Sequence, residues 1–286
     1  MVRATPFGRD GIYLKREDEH ELGAFKWRGA VAVLDALKPS VVVTASTGNH
    51  GAATAWAAKR AGVHAVVFVP NGASASKVAL IEAQGAELHH VGADVDEAKA
   101  AARAYAAEEG AFFFEDGAEP AQFTGYEAIG RELLDDVPEP GSVVVPVGNG
   151  ALAIGVFRAI AAGAPKALRV AVAAAEAPAM WESYEAGKPV DSDRCATFAD
   201  GLAVRVSIPK AVEELNALAQ RFELVSEAEL EDAVRAYAHG GIRVEGAAAA
   251  PLALALREEL PRPVVLIVTG QNIDDALYDR ILSDEP

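Results

Sequence analysis

Short runs of β-branched and apolar residues alternate along this chain with Ala-rich stretches whose apolar positions recur every three or four residues. The run Val41-Val42-Val43-Thr44 is the clearest: four residues with no polar alternation, followed by a glycine-bearing turn. Such runs predict strands over residues 41–44, 63–70, 87–91, 111–114, 142–147, 169–174 and 264–268. The stretches between them predict helices over residues 51–61, 76–84, 94–109, 151–162, 210–221 and 227–238. A strand that is apolar on both faces needs cover on both, and the helices supply it, so the pattern predicts an α/β fold with parallel sheets. Residues 138–141 and 186–197 read as loops, and the second is longer than an ordinary helix-to-strand connection. No repeat or low-complexity linker marks a domain boundary.

Composition narrows the picture. The chain has 286 residues, 51% of them hydrophobic, enough for one large core or two smaller ones. No stretch of 18 uncharged apolar residues is present, so no membrane span is expected. Residues 1–10 carry no apolar core of a secretory signal. The single Cys195 cannot form an internal disulfide and has no cysteine partner for zinc. A cytoplasmic location follows as the expectation. A formal net charge of −16 repels phosphate backbones and anionic lipid, which argues against nucleic-acid and membrane partners.

Four segments carry chemistry. In Gly23-Ala24-Phe25-Lys26-Trp27-Arg28-Gly29, Lys26 lies between two aromatics. An apolar setting disfavours an ammonium and makes the amine a usable nucleophile, although a helix start with a snorkelling lysine reads the same way. Ser46-Thr47-Gly48-Asn49-His50-Gly51 joins a predicted strand to a predicted helix, where backbone N–H groups bind anions; an ordinary βα turn would look alike. Gly148-Asn149-Gly150-Ala151-Leu152 follows a strand and can form an amide nest for phosphate. It lacks the third glycine of a dinucleotide site. Val268-Thr269-Gly270-Gln271-Asn272 ends the last strand, so the Thr269 hydroxyl sits where open α/β sheets bind ligands, or serves only a turn.

The order and spacing of these segments, with Leu14-Lys15-Arg16-Glu17-Asp18 ahead of them and Thr197-Phe198-Ala199-Asp200-Gly201 between, resemble the tryptophan-synthase-β-like pyridoxal-phosphate enzymes of fold type II. Within that family the chain looks most like threonine dehydratases, serine dehydratases and serine racemases. The resemblance implies two parallel-sheet α/β domains: a large cofactor-binding domain from residues 1–40 and 123–286, and a small inserted domain over 41–122, with no regulatory domain. It implies pyridoxal 5'-phosphate as cofactor, held as a Schiff base on Lys26 beside Phe25. Asn49 would meet the ring hydroxyl, Thr269 the ring nitrogen, and Gly148, Asn149, Gly150, Ala151 and Leu152 the phosphate. Ser46, Thr47, Gly48 and His50 would grip the substrate carboxylate.

The implied reaction is β-elimination from a small hydroxy amino acid, threonine or serine, to a 2-oxo acid and ammonia, with Lys26 as base. Thr47 stands where racemases of the family carry a serine acid, so racemisation is one alternative, and a threonine-synthase-like β/γ-replacement is another. A small amino-acid substrate and a homodimer are the expected partners. No metal ligand is assigned, though Glu176 and Glu182 mark one place a cation could sit. Departures from the family pattern are Ala24, Asn149, Ala151 and Gln271, and Gly125-Tyr126-Glu127-Ala128 where the family has Gly-Gln-Gly-Thr.

Overall fold

The computed structural model describes residues 2–4 and 10–283. The N-terminal stretch read for a targeting signal lies largely outside them. In chain order the elements are β1 (Val2–Ala4), β2 (Ile12–Arg16), α1 (Trp27–Leu37), β3 (Val41–Ala45), α2 (Asn49–Ala61), β4 (His64–Val69), α3 (Ala75–Glu82), β5 (Glu87–His90), α4 (Val95–Glu109) and β6 (Phe112–Phe113). Then follow α5 (Pro120–Asp136), β7 (Ser142–Pro146), α6 (Ala151–Gly163), β8 (Leu168–Ala174), α7 (Ala179–Ala186), α8 (Pro209–Leu218), β9 (Arg221–Val225), α9 (Glu227–His239), α10 (Gly246–Arg257), β10 (Val264–Val268) and α11 (Asp275–Ser283). The chain forms two units, residues 1–23 with 126–286 and residues 24–125.

The larger unit is built on a six-stranded sheet ordered β1-β2-β10-β7-β8-β9. Every pairing in it is parallel except β1 with β2. Its central strands are the apolar runs, fully buried in β7 and β10, and the Ala-rich α10 packs on them because alanines allow close approach. β2 was not among the predicted strands. Its Lys15 is 1% exposed, which an apolar-run criterion rejects; the ammonium is accepted by ion pairs to Glu17 at 2.6 Å and Glu132 at 2.8 Å. The helix predicted over 210–221 ends at Leu218, and Arg221 begins β9, paired parallel to β8. The helix α5 was also unforeseen.

The smaller unit has a four-stranded parallel sheet ordered β5-β4-β3-β6. Helix α4 covers one cluster, around Val43, Val66 and Phe68, and α2 with α3 another, around Val67 and Val69. Asp94 starts α4 by accepting from the amides of Asp96 and Glu97, both at 3.0 Å. The boundaries expected for the small domain, 41 and 122, stand beside 24 and 125 here. The stretch from 24 to 40 goes with this unit because α1 lies on α2, with the Trp27 and Trp56 rings edge to face at 5.9 Å.

Candidate active site

In each unit the chemistry-bearing residues gather at the carboxyl ends of parallel strands, the edge at which open α/β sheets bind ligands. In the smaller unit β3 leads into the loop 46–48 and then α2, and the neighbouring β6 leads into Glu115 and Asp116. The Ser46 hydroxyl accepts from the Gly48 amide at 3.2 Å, so it shapes the turn. Gly51 is required there: a Cβ on it would lie 2.7 Å from the Ser46 carbonyl oxygen. Thr47 and Gly48 lead into the first turn of α2, whose opening N–H groups have no partner within the helix. That end carries the positive pole of the helix dipole and suits a carboxylate.

Lys26 stands at the start of α1, its side chain 17% exposed, with its ammonium on the Asp116 carboxylate and 5.2 Å from the centre of the Phe25 ring. Gln122, fully buried, donates to the other Asp116 oxygen at 2.6 Å and is itself fixed by accepting from the Gly117 amide at 2.7 Å. The His50 ring is buried; its Nε2 lies 3.3 Å from the Phe114 carbonyl oxygen, a contact that makes Nε2 the donor. Its Nδ1 lies 3.5 Å from Asp116. Burial pushes His50 below the ordinary imidazole range, against the pull of Asp116. Burial would raise the Asp116 carboxyl, but the Lys26 ammonium and His50 hold it well below the usual carboxylate range. The His50 side chain is thus committed inside this network, and a carboxylate gripped by residues 46–50 would meet its backbone amide.

In the larger unit the adjacent parallel strands β7 and β10 carry the other two segments. The Gly148–Leu152 segment spans the β7 exit and the start of α6. A Cβ at Gly148 would collide with the Gly201 carbonyl oxygen, and Gly150 has φ +95°, a region L side chains rarely adopt. Gly201 and Leu202 therefore back this loop. The Asn149 side chain accepts from the Ala151 amide at 3.1 Å, so one of the nest's donors is taken. Thr269 is 2% exposed, and its hydroxyl is buried with no hydrogen-bond partner. Gln271 and Asn272 turn away from ligand chemistry: they donate to the carbonyls of Asp18 at 3.1 Å and Leu22 at 2.8 Å, fixing the segment ahead of Lys26.

Pyridoxal phosphate fits these residues on two observations. A strand-exit loop that only glycine can form at Gly148 and Gly150, leading into the N-terminus of α6, suits a phosphate, and an orphaned buried hydroxyl suits a ring nitrogen. Of the residues expected at the site, Lys26, Phe25, Ser46, Thr47, Gly48, Asn49 and His50 fall in the smaller unit, and residues 148–152 with Thr269 in the larger. Sequence reasoning missed Asp116 and Gln122, and also Glu245, buried at the start of α10 with its amide donating to the Gly270 carbonyl at 3.0 Å. The available signal for Asp116 was its place just past a predicted strand. The segment 125–128 lies inside α5, where Gly125 lets the helix approach the Arg28 carbonyl of α1 and Tyr126 is fully buried. Among the described residues no group of three or more His, Cys, Asp or Glu could hold a metal ion, Glu176 included, and no helix is long and apolar enough to cross a membrane.

A family model described as pyridoxal-phosphate dependent enzyme matches residues 2–270. The chain is 35% identical over 272 residues to an L-threonine ammonia-lyase of Geobacter sulfurreducens, covering 92% of this chain and 67% of that protein. It is 32% identical over 279 residues to an L-threonine ammonia-lyase of Thermotoga maritima, covering 95% and 70%. The solved structure of maize serine racemase superposes with a TM-score of 0.90 at 28% identity, covering 99% of this chain and 91% of that one.

Proposed function

We propose that this chain, which belongs to the family of pyridoxal-phosphate dependent enzymes, is a lyase that eliminates the β-hydroxyl of threonine or serine to give a 2-oxo acid and ammonia. The observation that carries this reading is the similarity to L-threonine ammonia-lyases across nine-tenths of the chain. Pyridoxal phosphate, when bound, supplies an electron sink for negative charge at the substrate Cα. Lys26 would hold it, with Phe25 beside it, Asn49 at the ring hydroxyl, the loop 148–152 at the phosphate and Thr269 at the ring nitrogen. A neutral hydroxyl does not draw a proton onto that nitrogen as a carboxylate would, which favours elimination over amino transfer.

The substrate carboxylate would be taken by Ser46, Thr47, Gly48 and the amide of His50 at the positive end of α2. With that group fixed, the freed Lys26 amine takes the Cα proton at Nζ as general base. The same Nζ then gives a proton to the departing hydroxyl, so water leaves and the amine is neutral again. Thr47 offers a second hydroxyl, and a proton delivered from it to Cα would produce the mirror-image amino acid. Its β-branch restricts χ1 and makes it a poorer donor than serine, so elimination dominates.

The test is to supply L-serine and L-threonine in turn to the cofactor-loaded protein, measuring oxo acid and chiral amino-acid composition together. Oxo acid should form from at least one of them, and Thr47→Ala should retain that rate within about tenfold, about 1.4 kcal/mol of barrier. Faster appearance of the D-amino acid than of oxo acid makes the chain a racemase instead. Product formed only with an added phosphorylated or thiol substrate makes it a replacement enzyme.

A further inference from the structure

Lys26 has to be a free amine before the cofactor is attached. The smaller unit contains a place built for that free amine. Asp116 presents one carboxylate oxygen to Nζ of Lys26 and is held by the Gln122 amide on the other. Gln122 is locked in turn by the Gly117 amide, and its side chain is buried, so the carboxylate cannot swing away without giving up the hydrogen bond from the Gln122 amide. His50 stands farther off, its Nδ1 3.5 Å from Asp116, and burial lowers its pKa, so Lys26 is the main counter-charge.

We infer that Asp116 is the docking residue for the Lys26 ammonium of the cofactor-free protein, a positioning residue that holds Nζ in place while no cofactor is present and that slows attachment of cofactor. This rests on the assignment of Lys26 as the cofactor-bearing lysine. An ammonium has no lone pair, so an amine held on a carboxylate must give up both proton and partner before it can attack an aldehyde. The ion pair therefore stabilises the cofactor-free form specifically, and Asp116 acts on the reaction only through Lys26.

The experiment follows pyridoxal phosphate uptake by the cofactor-free protein at one fixed pH, from the rise of the visible band, and then reduces the product with borohydride and maps the modified lysine. Asp116→Asn keeps the shape of the side chain and its hydrogen-bonding capacity toward Gln122 but removes the charge. It should speed uptake by about tenfold, the effect of losing about 1.4 kcal/mol of ion pairing. Asp116→Glu should restore the slow uptake, an outcome a purely structural role of the side chain does not produce. Gln122→Met, which loosens the carboxylate without touching its charge, should speed uptake in the same direction by a smaller factor and serves if the Asn variant does not fold. Unchanged uptake in these variants with the label on Lys26 overturns the docking role and leaves the Lys26 assignment standing. Label on another lysine overturns the assignment itself.

Discussion

A buried hydroxyl without a partner costs the folded chain about 1–3 kcal/mol, and Thr269 carries one at 2% exposure. A ligand that supplied the missing partner would remove that cost. Thr269→Val should therefore leave the cofactor-free protein as stable or more stable, read from the denaturant midpoint, while weakening cofactor retention by about tenfold, one lost hydrogen bond's worth. A clear loss of stability without change in retention would show a structural hydroxyl instead. His50 gives a pH signature. Burial lowers its folded pKa below the ordinary 6.5, so the unfolded chain binds a proton the folded chain refuses. Stability is then full above about pH 6.5 and falls as pH drops below it. Asp116, though burial pushes its pKa up, is held low by Lys26, so its contribution is present above the ordinary 3.8 and is lost only on further acidification. His50→Gln should flatten the fall in melting temperature of the cofactor-free protein between pH 7 and pH 5; an unchanged slope contradicts the buried neutral ring. Lys26 was singled out in the sequence because the motif around it is local and stands in order with the others. Asp116 was not, since its meaning comes from a partner 90 residues away.

At the scale of elements, the apolar runs were legible because β3, β4, β7, β8 and β10 are covered on both faces and need no polar alternation. β2 was hidden by charge: a buried Lys15 belongs in a strand only if Glu17 and Glu132 come to it, and Glu132 is far along the chain. α5 was hidden by Gly125 and Gly130, which weaken a helical pattern yet allow close packing, at Gly125 on α1 and at Gly130 on α6. The turn from β3 into α2 was read correctly as a βα turn, but the use of the Ser46 hydroxyl to shape it was not visible. Gly51→Ala tests that turn. Its Cβ would press on the Ser46 carbonyl and on Ile81, an overpacking cost of about 1–3 kcal/mol that alanine's better helix propensity only partly offsets. Because residues 46–48 must shift, KM for the amino acid should rise more than kcat falls. A variant with wild-type KM and lowered kcat would detach this loop from substrate binding.

For the whole molecule, the alternation of strands and helices sufficed for the class of fold, and the order of five short motifs for the family. The division into units was less accessible, because membership is decided by packing: α1 follows the long first segment in sequence but pairs with α2 through Trp27 and Trp56. The acidic balance of −16 fits a small-molecule enzyme. The proposed chemistry of this lyase depends above all on Lys26. Its most direct test is oxo-acid release from L-threonine and L-serine by the cofactor-supplemented wild type and Lys26→Ala side by side. Turnover in the wild type and a loss of about ten-thousandfold or more in the variant are expected, since tether and general base vanish together. Oxo-acid release by Lys26→Ala within about tenfold of wild type, a difference of only about 1.4 kcal/mol, would contradict it.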